Sequence, residues 1–482
     1  MINYRIIARV ISTLMIFEGV LMVLSALLSL LFREHLAGSF IFSAIITLVT
    51  GVFVFTPLRN DDKVYGNREG YIIVTGGFII FALFGTLPYL FSGSINNFTD
   101  AFFESISGFT TTGATILTDI DSMPKSILFW RSITQWIGGI GVIFLSLYVL
   151  PIFRDLNIQL STTEFAVQPT DKIHPRAADA VKRLIAIYIS LTLLEAVLLV
   201  IAGMPVFDAV CNSFSTLSTG GFSTHNYSLS IFGSPFMKVI ITVFMFIAGS
   251  NLTIVYFFVK REFRTILSNT EFIFYVIVCL TFITTTSLVL YISGSFSTRF
   301  PLIDGAFHTI SVITTTGFYT HDYTIWGNLV MLIMFIMMFT GGMAGSASGG
   351  IKISRLLVLT RNNRMEFRRL VHPEAFIPVR LNTKIIPQNY IYNILVFVTL
   401  YFLILCLSAF IISFMGYDLI TSVGTSAAML GNIGPGFGST GPFTTYADVP
   451  VAGKWFMTVL MLLGRLELMT VLILFSKSFY RK

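Results

Sequence analysis

The sequence predicts an all-α polytopic membrane protein, with four helix–pore segment–helix repeats around a central pore and two further transmembrane helices at the N-terminus. Three observations carry this expectation. Of 482 residues, 55% are hydrophobic and 11% charged, at a mean hydropathy of +0.82, a balance that soluble domains do not have. A stretch rich in Thr and Gly recurs along the chain, each time between two apolar spans, and such recurrence marks a repeat architecture. Lys and Arg gather in alternate links between the spans, which is how polytopic chains fix their orientation.

A hydrocarbon core of about 30 Å takes about 20 helical residues. Apolar spans of that size run over residues 6–31, 39–57, 70–92, 127–151, 181–203, 236–259, 272–293, 327–357, 388–415 and 453–477. The first follows Arg5 and Arg9, exceeds a signal-peptide core and lacks a small-residue cleavage site, so it reads as a retained membrane helix. Residues 1–69 hold the first two spans, and the other eight pair into repeats at 70–151, 181–259, 270–360 and 385–482. The basic links carry Arg59, Lys63 and Arg68; Arg154, Lys172, Arg176, Lys182 and Arg183; Lys260, Arg261 and Arg264; and Lys352, Arg355, Arg361, Arg364, Arg368, Arg369, Arg380 and Lys384, with Lys477, Arg481 and Lys482 in the tail. By the positive-inside rule these links and both termini are cytoplasmic, and the recurring segments enter from outside. The formal charge of +7 is thereby assigned to topology rather than to nucleic acid. Cys211, Cys279 and Cys406 lie in apolar stretches without paired spacing, which suggests neither disulfides nor a zinc site.

The recurring copies are Ser107–Thr115, Ser215–Thr224, Ile310–Thr320 and a looser Gly431–Thr440. Asp100, Asp208 and Asp304 stand thirteen residues before Gly113, Gly221 and Gly317, with Ser107, Ser215 and Ser311 seven residues after each Asp. In the fourth copy Asp418 is followed at the same step by Thr425, but Gly434 comes sixteen residues on, which reads as a three-residue insertion. Gly431 keeps the thirteen-residue spacing, so the fourth register stays open. Each copy is expected to begin as a short helix capped by its Asp, about 16 Å long and reaching half-way through the core. Its negative end then points at the membrane centre and favours a cation. Non-helical backbone at that depth is tolerated only inside protein or against water, glycine supplies positive φ, and carbonyl and Thr oxygens can replace an ion's hydration shell. Four copies about one axis would make a selectivity filter for a dehydrated monovalent cation.

Gly341, Gly342, Gly345, Gly349 and Gly350 interrupt the span at 327–357. Five glycines in ten residues weaken any helix and predict a flexible segment beneath the filter that blocks or clears the path; the alternative is close helix packing through overlapping GxxxG. Arg465 lies deep in the last span with Glu467 beside it. At that depth a charge faces a water-filled path or pairs internally, here with Glu195 or Glu18. Glu104 either draws cations or bonds neighbouring backbone. His225, His308 and His321 read as structural. The chain has no phosphate-binding P-loop, no GxGxxG after a strand and no nucleophile with a plausible base, so no enzymatic activity is expected.

The TTTG-like copies, WRSITQWIGGIGVI after the first, GGMAGSASGGIKISR in the third repeat and NIGPGFG in the fourth together resemble the Trk/Ktr/HKT family of potassium transporters. The two extra N-terminal spans and the NIGPGFG form are most similar to its TrkH branch. The resemblance covers nearly the whole chain. It implies a single-chain pore with pseudo-fourfold symmetry in the bacterial cytoplasmic (inner) membrane, usually a homodimer. It further implies uptake of K+ as the transported ion, without an organic cofactor, under a cytosolic nucleotide-binding partner resembling TrkA. Carried over position by position, the filter would be Thr111, Thr112 and Gly113; Thr219, Gly220 and Gly221; Thr315, Thr316 and Gly317; and Asn432, Ile433 and Gly434. The Gly341–Gly350 stretch would be the family's intramembrane gating loop, with Arg465 the basic residue near it. Members with Ser for the first filter glycine tend to carry sodium, so Gly113 implies potassium. The alternatives are a sodium-permeable or Na+-coupled transporter, or the potassium-binding subunit of a pump complex. A secondary transporter built from inverted repeats is disfavoured because each repeat here starts and ends inside.

Overall fold

In lipid every peptide group has to find its partner within the protein, and long apolar segments do so as helices. The computed structural model describes residues 2–58, 66–149, 175–293, 299–375, 377–382 and 384–480; Arg59, Lys63, Arg154, Lys172, Arg481 and Lys482 lie outside them. Helices α1 (Tyr4–Leu31) and α2 (Ala37–Phe55) pack along each other. A side chain on Gly19 there would strike Leu48, and Gly51 lies tightly against Ile16, the close approach that small residues allow in membranes.

The first helical unit is α3 (Asn67–Gly85) with its short continuation α4 (Leu87–Phe91), the half-length α5 (Phe98–Phe109) and α6 (Lys125–Val149). The second comprises α7 (Pro175–Ile201), half-length α8 (Val206–Leu217), α9 (Pro235–Ala248) and α10 (Leu252–Val259). A short α11 (Phe263–Ser268) leads to α12 (Thr270–Ile292), half-length α13 (Pro301–Ile313) and α14 (Asn328–Met338). Non-helical chain then runs to α15 (Ile353–Val371), and a ladder of β1 (Arg380–Leu381) with β2 (Lys384–Ile385) precedes the last unit. That unit is α16 (Gln388–Phe414), half-length α17 (Leu419–Gly431), α18 (Val451–Arg465) and α19 (Leu468–Leu472), followed by α20 (Lys477–Tyr480).

Each half-length helix packs between the two long helices of its own unit. It also meets the second helix of the unit before: α6 packs on α8, α9 on α13, α14 on α17, and α18 returns to α5. The four units therefore close into a ring. Phe103, Phe109, Trp130, Phe307, Met338 and Met429 are buried among its helices, while Phe53, Leu193 and Phe410 remain exposed, as a lipid-facing exterior requires.

Three of the ten predicted spans are not continuous. Among the described residues six helices are long and apolar enough to cross a membrane, and two bent pairs bring the number to eight. The span expected at 236–259 turns by 107° between α9 and α10, where Gly249 and Ser250 end one helix and Asn251 caps the next by accepting from Thr253 N at 2.8 Å. That at 453–477 turns by 114° between α18 and α19 at Glu467, whose φ of 62° and ψ of 130° no helix contains. The span at 327–357 stops at Met338 and resumes at Ile353.

The expectation that an Asp caps each half-helix holds in one case of four. Asn97 caps α5, accepting from Thr99 N at 3.0 Å, while α8 and α13 begin behind Pro205 and Phe300 without a side-chain cap. Asp100, Asp208 and Asp304 lie in the first turn, where a helix dipole also favours a carboxylate. Asp100 is bound by Lys454 and Asp304 by Lys238, each at 2.6 Å, from the second helix of the preceding unit. Only Asp418 is an N-cap, taking Thr421 N at 3.3 Å. It therefore marks an earlier position than the other three. The half-helices have 12, 12, 13 and 13 residues, so the fourth copy contains no insertion.

Candidate functional site

All four half-helices end in the same turn. Thr111, Thr219, Thr315 and Asn432 have φ of 50°, 54°, 56° and 54°. The next amide bonds back to the carbonyl five residues earlier: Thr112 to Ser107 at 2.9 Å, Gly220 to Ser215 at 2.8 Å, Thr316 to Ser311 at 2.9 Å and Ile433 to Ala428 at 2.9 Å. This is the left-handed helix stop that glycine usually provides. A β-branched Thr there is strained by about 1–3 kcal/mol, and such strain gathers at functional sites. Two residues after that position the chain turns again at Gly113, Gly221, Gly317 and Gly434, with φ of 80°, 78°, 79° and 93°. Backbone conformation thus sets the fourth register at Asn432, Ile433 and Gly434. Ala428, not Thr425, matches Ser107, Ser215 and Ser311.

The turns form a closed cycle. Gly113 faces the carbonyl of Gly220, Gly221 that of Thr316, Gly317 that of Ile433, and Gly434 that of Thr112; a methyl group on any of the four would strike that oxygen. Glycine is needed at these positions both for φ and for close approach. The twelve residues expected at the filter are thereby brought to one place, where the chain offers carbonyl and hydroxyl oxygens and the negative ends of four helices.

A brace from the half-helix stands behind three of the four turns. Seven residues before the strained position come Glu104, Asn212, His308 and Thr425. Glu104 accepts from Ile116 N at 3.0 Å, from Thr115 Oγ1 at 2.9 Å and from Arg131 Nε at 2.8 Å, so of its two expected roles it performs the bonding one. His308 Nε2 lies 3.2 Å from Thr320 Oγ1, and Thr425 Oγ1 lies 2.7 Å from Thr440 Oγ1. In these three copies the half-helix is tied to the strand that returns after the turn.

Several supporting residues were missed by sequence reasoning. Arg131, buried, also donates from Nη1 to Ser223 O at 3.1 Å and lies 4.2 Å over the Phe222 ring. Gln135 donates from Nε2 to Gly220 O at 2.7 Å and accepts from Phe222 N at 3.1 Å, so α6 of the first unit holds the turn of the second. An Arg and a Gln four residues apart in an apolar span was the signal for this pair. Tyr446, whose hydroxyl donates to Gly434 O at 2.8 Å, gave none. Asn432 Nδ2 donates to Thr112 Oγ1 at 3.0 Å and Met461 O at 2.8 Å, joining the last turn to the first.

The chain between α14 and α15 lies directly under this cycle. Gly349 N donates to Thr315 Oγ1 at 2.7 Å. Met343 N reaches Gly249 O at 2.8 Å, Ala344 N reaches Glu271 Oε1 at 2.7 Å, and Asn251 Nδ2 donates to Ala344 O at 2.8 Å. Lys352 Nζ holds Ser348 O at 2.6 Å. Gly341 and Ile351 close the neck, through Gly341 N to Ile351 O at 2.6 Å and Ile351 N to Phe339 O at 3.3 Å. Gly345 and Gly350 have φ of 79° and 64°; Gly341, Gly342 and Gly349 each face a backbone oxygen with no room for a side chain. The stretch is not a GxxxG helix.

Arg465 reaches this loop rather than a carboxylate. It is 3% exposed and donates to Ala347 O and, at 3.0 Å, to Gly138 O of α6. The ion pair with Glu195 or Glu18 is absent, since both carboxyls are buried without a hydrogen-bond partner. Glu467 pairs instead with Arg355 at 2.6 Å. Beyond the helical spans, His225 lies 2.6 Å from Asp121 and 3.8 Å from Asp208. Asp208 foremost, with Asp121 adding to it against the opposing effect of burial, raises its pKa above the ordinary histidine range.

Comparison with known proteins adds to this geometry. A family model for TrkH, described as a cation transport protein, matches residues 36–481. The chain is similar to the Trk system potassium uptake protein TrkH of Salmonella typhimurium, at 35% identity over 484 residues and 100% of both chains. It is also similar to the Trk system potassium uptake protein TrkG of Escherichia coli, at 32% identity with 94% of each covered. Among solved structures it is similar to the crystal structure of the potassium transporter TrkH from Vibrio parahaemolyticus, with a TM-score of 0.91, 33% identity and 100% of both chains covered.

Proposed function

The chain belongs to the TrkH family of cation transport proteins, and we propose that its potassium uptake runs through the cycle formed by Thr111–Gly113, Thr219–Gly221, Thr315–Gly317 and Asn432–Gly434. It is an integral membrane transporter and not an enzyme. The observation that supports this path is the closed cycle of four glycine turns, each against the next carbonyl. Oxygens fixed by strained turns and by braces such as Glu104 and Gln135 replace the hydration shell of K+ without having to reorganise. The membrane potential supplies about 2.3 kcal/mol per charge per 100 mV.

The loop at 341–350 is the gate in this reading. It occupies the space under the turns, and Arg465 and Lys352 hold it there through carbonyls of residues 346–348. The re-entrant segments enter from outside, both termini are cytoplasmic, and the membrane is the bacterial inner membrane. The chain acts as a homodimer with a cytosolic nucleotide-binding subunit resembling TrkA. Exposed Arg364, Phe367 and Arg368 of α15, which continues from the loop, make a surface on which that subunit would dock.

Flux of potassium, rubidium and sodium into liposomes under an imposed potential tests the filter. The intact chain should favour potassium and rubidium, and Gly113→Ser should admit sodium at a rate within an order of magnitude of potassium. Equal selectivity in the two proteins would count against Gly113 lining the path.

A further inference from the structure

At two junctions between units, a buried tyrosine of the first helix ties down the second helix of the unit before. Tyr188 Oη donates to Trp136 O at 3.2 Å, and Tyr275 Oη donates to Phe246 O at 3.1 Å. Both acceptors lie three residues before a glycine, Gly139 and Gly249, that the same hydroxyl approaches. The third junction has the same parts. Tyr401 stands thirty-one residues before Asn432, as Tyr188 stands before Thr219, and Phe339 stands three residues before Gly342. The Phe339 ring is 5.4 Å from that of Phe402, the neighbour of Tyr401. Yet Tyr401 Oη is buried without a partner, and Phe339 O accepts instead from Ile351 N at 3.3 Å. The amide occupying that carbonyl belongs to the neck of the gating loop.

We infer that Tyr401 is a positioning residue for the open gate: when the loop withdraws, its hydroxyl takes the Phe339 carbonyl that Ile351 N releases. The inference rests on the gate reading above. A helix-end carbonyl at membrane depth needs a donor once its own is gone, and a buried hydroxyl without a partner is costly. One move of the loop exchanges the first deficit for a bond that removes the second. The third junction then acquires the bond that the first two already have. Tyr401 thus favours opening without contributing a hydrogen bond to the closed form.

Tyr401→Phe tests this in the full chain, by rubidium uptake in cells that depend on it for potassium and by thermal unfolding of the purified protein. Uptake should fall about five-fold, the worth of one hydrogen bond to the open state, while the unfolding temperature does not fall. Tyr188→Phe, which removes a bond already made, should lower the unfolding temperature. In a chain lacking Gly345–Ser348 the pore has no loop to release, and Tyr401→Phe should leave uptake unchanged. Unchanged uptake in the full chain beside a freely conducting loop deletion would overturn the inference and spare the gate. Reduced uptake in both backgrounds, or a lower unfolding temperature for Tyr401→Phe, would overturn it too. A loop deletion that conducts no better than the full chain would remove the gate reading, and this inference with it.

Discussion

Single residues decide how the turns are held. Thr111, Thr219 and Thr315 accept a backbone conformation that glycine would adopt freely, and Thr315 Oγ1 in return receives the loop through Gly349 N. Beyond the turns His225 sits between Asp121, which follows the first turn, and Asp208, at the start of the second half-helix. Its pKa is raised, so its bridge is fully stabilising below the unfolded value of about 6.5 and is lost as pH rises through the higher folded value. The unfolding temperature should therefore fall across that interval, and His225→Gln should flatten the fall. Parallel pH profiles for the two proteins would show that the bridge contributes nothing. Residues whose partners are distant in sequence were the least legible. Gln135, polar in an apolar span beside Arg131, showed that it has a partner but not that the partner is backbone 85 residues away, and nothing around Tyr446 pointed to Gly434 O. Glu104 announced itself as a buried charge, but its choice between ion and backbone depended on Arg131.

At the scale of elements, the four turns were legible because they repeat, and the fourth was misread because its Asp is a cap while the others are not. Asp418 bonds Thr421 N, whereas Asp100 and Asp304 face lysines of another unit; equal spacing alone could not separate these roles. The breaks at Gly249 and Glu467 were hidden for another reason. Gly249 and Ser250 look like ordinary small residues of a membrane helix, and Glu467 is bent by its surroundings, among them the pair with Arg355 at 2.6 Å. Both bends adjoin the loop at 341–350, whose five glycines made it the one break that composition disclosed. Deleting Gly345–Ser348 should raise cation flux at least several-fold in protein that still folds, and Arg465→Ala should do the same to a smaller degree by freeing Ala347 O. Unchanged flux in the deletion would exclude the loop from the path. A fall with Arg465→Ala, in folded protein, would assign the residue to support of α6 through Gly138 O rather than to the gate.

For the molecule as a whole, the ring is fastened where units meet. Lys454 joins the last unit to the first through Asp100, and Lys238 joins the second to the third through Asp304. The side chains of Lys454 and Asp100 are 6% and 23% exposed, so removing one partner leaves a charge poorly solvated. Lys454→Met should cost about 2 kcal/mol of stability, and Asp100→Asn added to it should return part of that loss. Thermal unfolding of the single and double variants measures this. Equal losses in both would show that the two residues are not coupled.

The ring closes between residues far apart along the chain. Asn432 meets Thr112 across 320 positions, and Lys454 meets Asp100 across 354. During synthesis the first three turns are already in the membrane while the fourth is still unmade. Until the final helices insert, the Thr112 carbonyl lacks Gly434 as its neighbour and Asp100 lacks its lysine. A chain cut short before the last unit would leave these polar groups unmatched. The cycle of turns is therefore complete only when the last unit is in place.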